Sequence, residues 1–135
     1  MKQVTYPRSS LDSEPYWEGC RSGELRYQHC TSCGSVVFHP RALCPYCLHD
    51  TLEWKASAGR GRVYSYSVQH VPLRPDAGAY APRVLGIAEV DEGFHMFAEF
   101  LADDPEQVAI GDPLEVVFVD VADDLVLPKF RVGAK

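Results

Sequence analysis

CTSCGSVVFHPRALCPYC, residues 30–47, carries two Cys-x-x-Cys pairs, Cys30/Cys33 and Cys44/Cys47, with ten residues between them. Zinc takes soft ligands at tetrahedral corners. A Cys-x-x-Cys turn puts two thiolates on one side, and a second such turn, brought over by a strand or two, completes the sphere. Gly34 after Cys33 lets the backbone turn tightly, and Pro45 stiffens the second turn. The stretch therefore reads as a structural zinc ribbon with Cys30, Cys33, Cys44 and Cys47 as ligands. A thioredoxin-like redox pair would need a helix opening on one pair within a βαβ unit, and neither pair has that. Structural disulfides would need an oxidising compartment. A catalytic zinc keeps one position open for water, and four cysteines leave none. The donor set accepts iron as well as zinc. His29, His39 and His49 lie nearby and read as surface or supporting residues. Such a ribbon is too small to bury a core of its own, so the metal has to supply its folding energy.

The rest of the chain is built differently. It has 135 residues, 46% of them hydrophobic, enough for one ordinary domain or two very small ones. Leu114–Val121 is broken by Glu115 and Asp120, so it cannot span a bilayer. The N-terminus lacks the apolar stretch of a signal peptide. A cytoplasmic protein with reduced thiols is expected. The net charge of −6 is uneven. Residues 1–57 carry six Lys/Arg and six Asp/Glu, whereas residues 58–135 carry seven and thirteen. A polyanion would be repelled by that second half.

Residues 1–24 read as a loose arm followed by a short helix. Ser13 suits its N-cap, Glu14 and Pro15 its first turn, and Gly23 its C-terminal stop. Tyr16, Trp17 and Cys20 fall along one side of this helix. That side either packs on the protein's own body or docks on a partner, and Cys20 reads as a packing residue. Residues 25–57 are short strands and cysteine turns. From residue 58 to 135 the pattern is β-rich: 63–71, 84–90, 94–101, 113–121 and 128–132 read as strands. Asp91-Glu92-Gly93 makes a hairpin of the second and third. Five strands with little helix predict a Greek-key barrel of the OB type. The Pro72–Pro82 segment is expected to be a long loop at the barrel rim, and Gly59-Arg60-Gly61 the turn into the barrel.

No GxSxG, HExxH, Walker-type or GxGxxG motif occurs. His70 and His95 fall within predicted strands and read as structural. Asp103-Asp104 and Asp123-Asp124 are neighbours in loops and cannot form the opposed pair that acid–base chemistry requires. The residues describe a binding module, not an enzyme.

The full pattern resembles the DUF35 family. It comprises Tyr16-Trp17, Gly23-Glu24-Leu25, Cys30-x-x-Cys33-Gly34, Pro40-Arg41-x-x-Cys44-Pro45-x-Cys47, Trp54, Gly59-Arg60-Gly61-x-Val63-Tyr64-Ser65-Tyr66, Ile110-Gly111-Asp112-x-Leu114 and Pro128-Lys129-Phe130. The resemblance covers about residue 14 to about residue 132 and implies a rubredoxin-like zinc ribbon joined to an OB-fold. It further implies a non-catalytic, acyl-CoA-associated subunit that partners a thiolase-superfamily protein (thiolase or aldolase) and helps form its tunnel for the CoA arm. A MaoC-like hydratase is the alternative partner. Some members carry a longer N-terminal helical extension; here about a dozen residues precede Ser13.

Acyl-CoA needs basic groups at a mouth and an apolar or aromatic channel behind. Arg41, Arg60, Arg62 and Tyr64, with Tyr66, are expected near the ribbon–barrel junction and are the candidate CoA residues. Tyr16 and Trp17 are the candidate partner-facing residues. A nucleic-acid-binding module is the competing class, since ribbons and OB barrels serve that end too. The acidic barrel half argues against it.

Overall fold

The computed structural model describes residues 6–71 and 82–133. The Pro72–Pro82 loop, apart from Pro82, lies outside the described residues. Helix α1 spans Glu14–Arg21. Strands β1 (Arg26–Cys30), β2 (Val36–Val37) and β3 (Leu52–Ala56) form an antiparallel sheet in the order β2-β1-β3. Strands β4 (Arg60–Gln69), β5 (Arg83–Val90), β6 (Phe94–Leu101), β7 (Pro113–Ala122) and β8 (Leu125–Val132) close a barrel in the order β4-β5-β6-β8-β7, with β7 returning to β4. The architecture is mainly β, a cysteine ribbon followed by a five-stranded OB-type barrel. Among the described residues no helix is long and apolar enough to cross a membrane.

Alternation makes the barrel. Along β5 and β6, Val84, Ala88 and Val90 face inward against Phe94, Met96, Ala98 and Phe100. Gly86 leaves room for Phe100, whose ring would lie 2.4 Å from a Cβ at that position. The hairpin turn falls at Asp91-Glu92-Gly93, and the N–H of Gly93 donates to the carbonyl of Val90 at 2.8 Å. The Ile110-Gly111-Asp112 turn docks on β4: Gly111 N–H donates to Val63 O and Val63 N–H donates to Asp112 O. The buried Asp112 carboxylate accepts from Ala109 N–H at 2.9 Å, which closes the turn.

Three expectations change. Arg60 and Gly61 belong to β4 itself, and only Gly59, at φ +75°, makes the turn. The last strand begins at Leu125, because β7 and β8 form a hairpin across Asp123-Asp124. Ser13 precedes α1 but does not cap it through its side chain; its Oγ accepts from Ser10 N–H instead.

Ribbon and barrel share one core. Tyr16 and Cys20 of α1, with Leu25 and Tyr27, join the barrel's buried cluster. Phe38 stacks on Phe94 at a centroid distance of 4.8 Å, Tyr27 lies 5.3 Å from Phe94, and Tyr16 lies 5.7 Å from Phe38. Tyr16 is thus mainly a packing residue, 8% exposed; its burial raises its hydroxyl pKa well above the ordinary value. Burial likewise pushes the Cys20 thiol up to about 11. Between ribbon and barrel, Glu92 accepts from the Ser57 hydroxyl and from Ala58 N–H, which ties the linker to the hairpin turn.

Candidate functional site

The four ribbon cysteines converge. Their Sγ atoms all lie within 4.8 Å of one another, with Cys30–Cys47 at 3.6 Å and Cys33–Cys44 at 3.7 Å. A tetrahedral zinc with bonds of about 2.3 Å separates its sulfurs by roughly 3.8 Å, so the cage fits that ion. None of the five cysteines is in a disulfide.

The two turns are built alike. Cys30 N–H donates to Ser35 O, and Gly34 N–H donates to Cys30 O. Fourteen residues on, Cys44 N–H donates to His49 O, and Leu48 N–H donates to Cys44 O. Gly34 and Leu48 occupy equivalent left-handed positions, at φ +77° and +65°. Leu48 bears that strain while 73% exposed.

The sulfurs are prepared unequally. The Thr51 hydroxyl, then the N–H groups of Cys33 and Ser32, lower the Cys30 thiol to about 6. The Ser35 hydroxyl and N–H lower Cys33. The His49 N–H favours the Cys47 thiolate, but burial and the three neighbouring sulfurs outweigh it and push that thiol up to about 12. Four thiolates this close repel one another until a dication joins them. No histidine enters the cage. His49 Nδ1 lies 3.4 Å from Cys47 Sγ and supports that ligand, while His39 is exposed. His29 is half-buried beside Cys30, and its Nδ1 has no hydrogen-bond partner.

The candidate CoA residues divide between two elements. Arg60, Arg62 and Tyr64 follow one another on the outer side of β4 and are exposed. Arg41 belongs to the ribbon loop, where the buried Gln28 clamps its backbone: Arg41 N–H donates to Gln28 Oε1 at 2.7 Å, and Gln28 Nε2 donates to Arg41 O at 2.9 Å. Nothing in the sequence flags Gln28, an isolated amide in a short strand. The ribbon–barrel junction is filled by Tyr27, Phe38 and Phe94.

A cavity of about 560 Å³ lies instead where β6 and β8 part. These strands pair only at Phe100/Phe130 and Leu101/Arg131. Trp17, Met96, Phe97 and Leu127 line the cavity, with Arg83, Glu99 and Lys129 among its polar residues. Arg83 and Lys129 both reach Glu99, at 2.5 and 3.4 Å. A neighbouring cavity of about 420 Å³ shares Trp17 and Tyr6. Trp17, half-buried, borders both cavities, while Tyr16 borders only the first and Arg21 only the second. The expected acidic turns are exposed, with Asp104 capping the turn Pro105–Gln107. His70 is exposed 3.2 Å from Glu106, and His95 is exposed 4.3 Å from the Tyr64 ring, so both leave the core.

A four-cysteine ribbon fused through an aromatic core to a small five-stranded barrel defines a ribbon–OB protein. Family models agree: the ChsH2 rubredoxin-like zinc ribbon domain matches residues 17–53, and the ChsH2 C-terminal OB-fold domain matches residues 54–119. The chain belongs to the DUF35 family. It is 36% identical over 96 residues to a DUF35 domain-containing scaffold protein of Methanothermobacter thermautotrophicus, covering 70% of this chain and 71% of that protein. It is 34% identical over 117 residues to the 3-oxo-4,17-pregnadiene-20-carboxyl-CoA hydratase alpha subunit of Mycobacterium tuberculosis, covering 87% of this chain but only 37% of that subunit. Among solved structures it is similar to a chain of the Ltp2-ChsH2(DUF35) aldolase, with a TM-score of 0.83, 28% identity, and coverage of 94% of this chain and 98% of that one.

Proposed function

We infer that this chain is an accessory subunit of an acyl-CoA-processing enzyme. It pairs with a thiolase-superfamily protein, thiolase or aldolase, and contributes to the partner's acyl-CoA site. The observation that carries this reading is the near end-to-end likeness to the DUF35 chain of an aldolase. The metal cage is structural: its four ligand positions are all taken by cysteine, which leaves no place for substrate. Zinc fits the spacing and fixes the ribbon. Arg41, Arg60, Arg62 and Tyr64 are assigned to CoA, and Trp17 to the partner. A hydratase partner is the second reading, favoured by the likeness to the hydratase alpha subunit. Four metal-binding thiols belong in a reducing compartment, so the cytoplasm is the assigned location.

The test is reconstitution. The isolated chain should turn over no acyl-CoA, and its addition should raise the activity or solubility of its partner. Full activity of the partner without this chain, or turnover by this chain alone, would overturn the assignment.

A further inference from the structure

The outer face of the barrel across β4, β5 and β6 carries aromatic rings that the core does not use. A β-bulge sets the first of them. Val63 pairs with Ala88 and Ser65 with Ile87, so Tyr64 is the extra residue, left without a cross-strand partner. Tyr64 is 52% exposed, and its ring lies against His95 with centroids 4.3 Å apart and a tilt of 32°. Two residues beyond His95, on the same face and about 7 Å further along the strand, stands Phe97, which is 65% exposed. Ile87 sits opposite Phe97 in the neighbouring strand, between it and Ser65. Arg62, Glu89 and His95 form the next row across the three strands. Among the described residues Arg62 has no carboxylate within ion-pair distance, Glu89 included.

We propose that this face is a purine-nucleotide platform, in which Tyr64, His95 and Phe97 receive the adenine of an acyl-CoA and Arg62 holds its phosphate. The proposal rests on the acyl-CoA reading above and names the part of the molecule this chain grips. A base stacks on aromatic rings whatever its edges carry. A guanidinium forks onto phosphate, and a carboxylate such as Glu89 accepts from a ribose hydroxyl. The charge balance selects a small ligand. One arginine beside the rings suits a single nucleotide, whereas residues 58–135 carry thirteen acids against seven bases and repel the repeated phosphates of a strand. His95 and Phe97 are thus binding residues that the sequence pattern, reading them as ordinary strand positions, does not reveal.

The test titrates the full metal-loaded chain with adenosine 3′,5′-bisphosphate, with CoA and with pantetheine, by calorimetry. The bisphosphate should bind and displace CoA. Tyr64→Ala and Phe97→Ala should each weaken it about tenfold, and Arg62→Gln should weaken the bisphosphate more than adenosine. Both rings are exposed, so these variants keep the fold, which a thermal melt confirms. If CoA binds while the bisphosphate fails to displace it, or if both alanine variants bind it as the parent does, the platform is overturned and the accessory-subunit reading survives. If the bisphosphate binds as proposed but CoA gains nothing over it and no partner responds to the chain, the platform stands and the accessory reading falls. Tighter binding of a single-stranded oligonucleotide than of the mononucleotide would also overturn the proposal.

Discussion

Replacing Phe94 by alanine should weaken ribbon and barrel together. Phe94 is 5% exposed and stands at the start of β6, with Phe38 of the ribbon stacked on one side and Tyr27 beside it. Removing a buried phenylalanine costs about 3–5 kcal/mol, part transfer and part cavity. Each ring pair adds about 0.5–1.5 kcal/mol beyond its area. Phe94 takes part in two such pairs, so the loss belongs at the upper end, about 5 kcal/mol. A domain of this kind is stable by about 5–15 kcal/mol, so the variant should be marginal. With a urea slope of about 2 kcal/mol per molar, the midpoint should fall by about 2.5 M. Metal retention, read by a thiol-displacement dye, and barrel signal, read by circular dichroism, should be lost in one transition. A loss below about 1 kcal/mol, or a parent protein whose metal site and barrel unfold separately, would refute the shared core.

Other perturbations have defined outcomes. Cys44→Ser should remove the metal and unfold the ribbon, whose own buried cluster is only Cys30, Val37 and Cys44; metal analysis still showing one ion per chain would contradict the ligand assignment. Leu48→Gly should raise stability by roughly 0.5–1 kcal/mol, because glycine occupies the +65° position without strain and little buried surface is lost. A lower melting temperature would show that Leu48 makes contacts worth more than its strain. Glu99→Gln should cost roughly 1 kcal/mol at pH 7. Burial disfavours the charge on Glu99, but Arg83 and Lys129 outweigh it and hold the carboxyl below its ordinary range. That stabilisation exists above the unfolded value of about 4.3 and is lost as the pH falls through the depressed folded value. Parent and variant should therefore converge in acid, and a gap that persists at pH 2 would rule out the charge network as its cause.

What the sequence made legible is what is local. Each Cys-x-x-Cys turn needs only its own few residues, so spacing and a following glycine or proline suffice to recognise it. The β5–β6 hairpin announces itself because its alternation and its Asp-Glu-Gly turn are contiguous. The motif Ile110-Gly111-Asp112 is legible as a turn leading into a strand, but its hydrogen bonds to Val63 cross almost fifty positions. The features that stayed hidden are all non-local. Phe38 and Phe94 meet across more than fifty residues, and Gln28 clamps a loop thirteen residues away. The opening between β6 and β8 follows from two strands pairing in parallel at just two positions. Tyr16 and Trp17 are adjacent in sequence, yet the helical twist buries one in the shared core and leaves the other half-buried at its edge. The bulge at Tyr64 turns on which residues of β5 lie opposite, and alternation within one strand carries no record of that.

An accessory subunit of an acyl-CoA enzyme is expected to act through that partner and not by itself. The most direct measurement is to recover the tagged chain from its own host at native expression and identify what accompanies it. The expected companion is a thiolase-, aldolase- or hydratase-type protein, present in stoichiometric amount and losing acyl-CoA activity when the chain is stripped away. Ribosomal proteins or nucleic acid in its place, with no acyl-CoA enzyme, would contradict it.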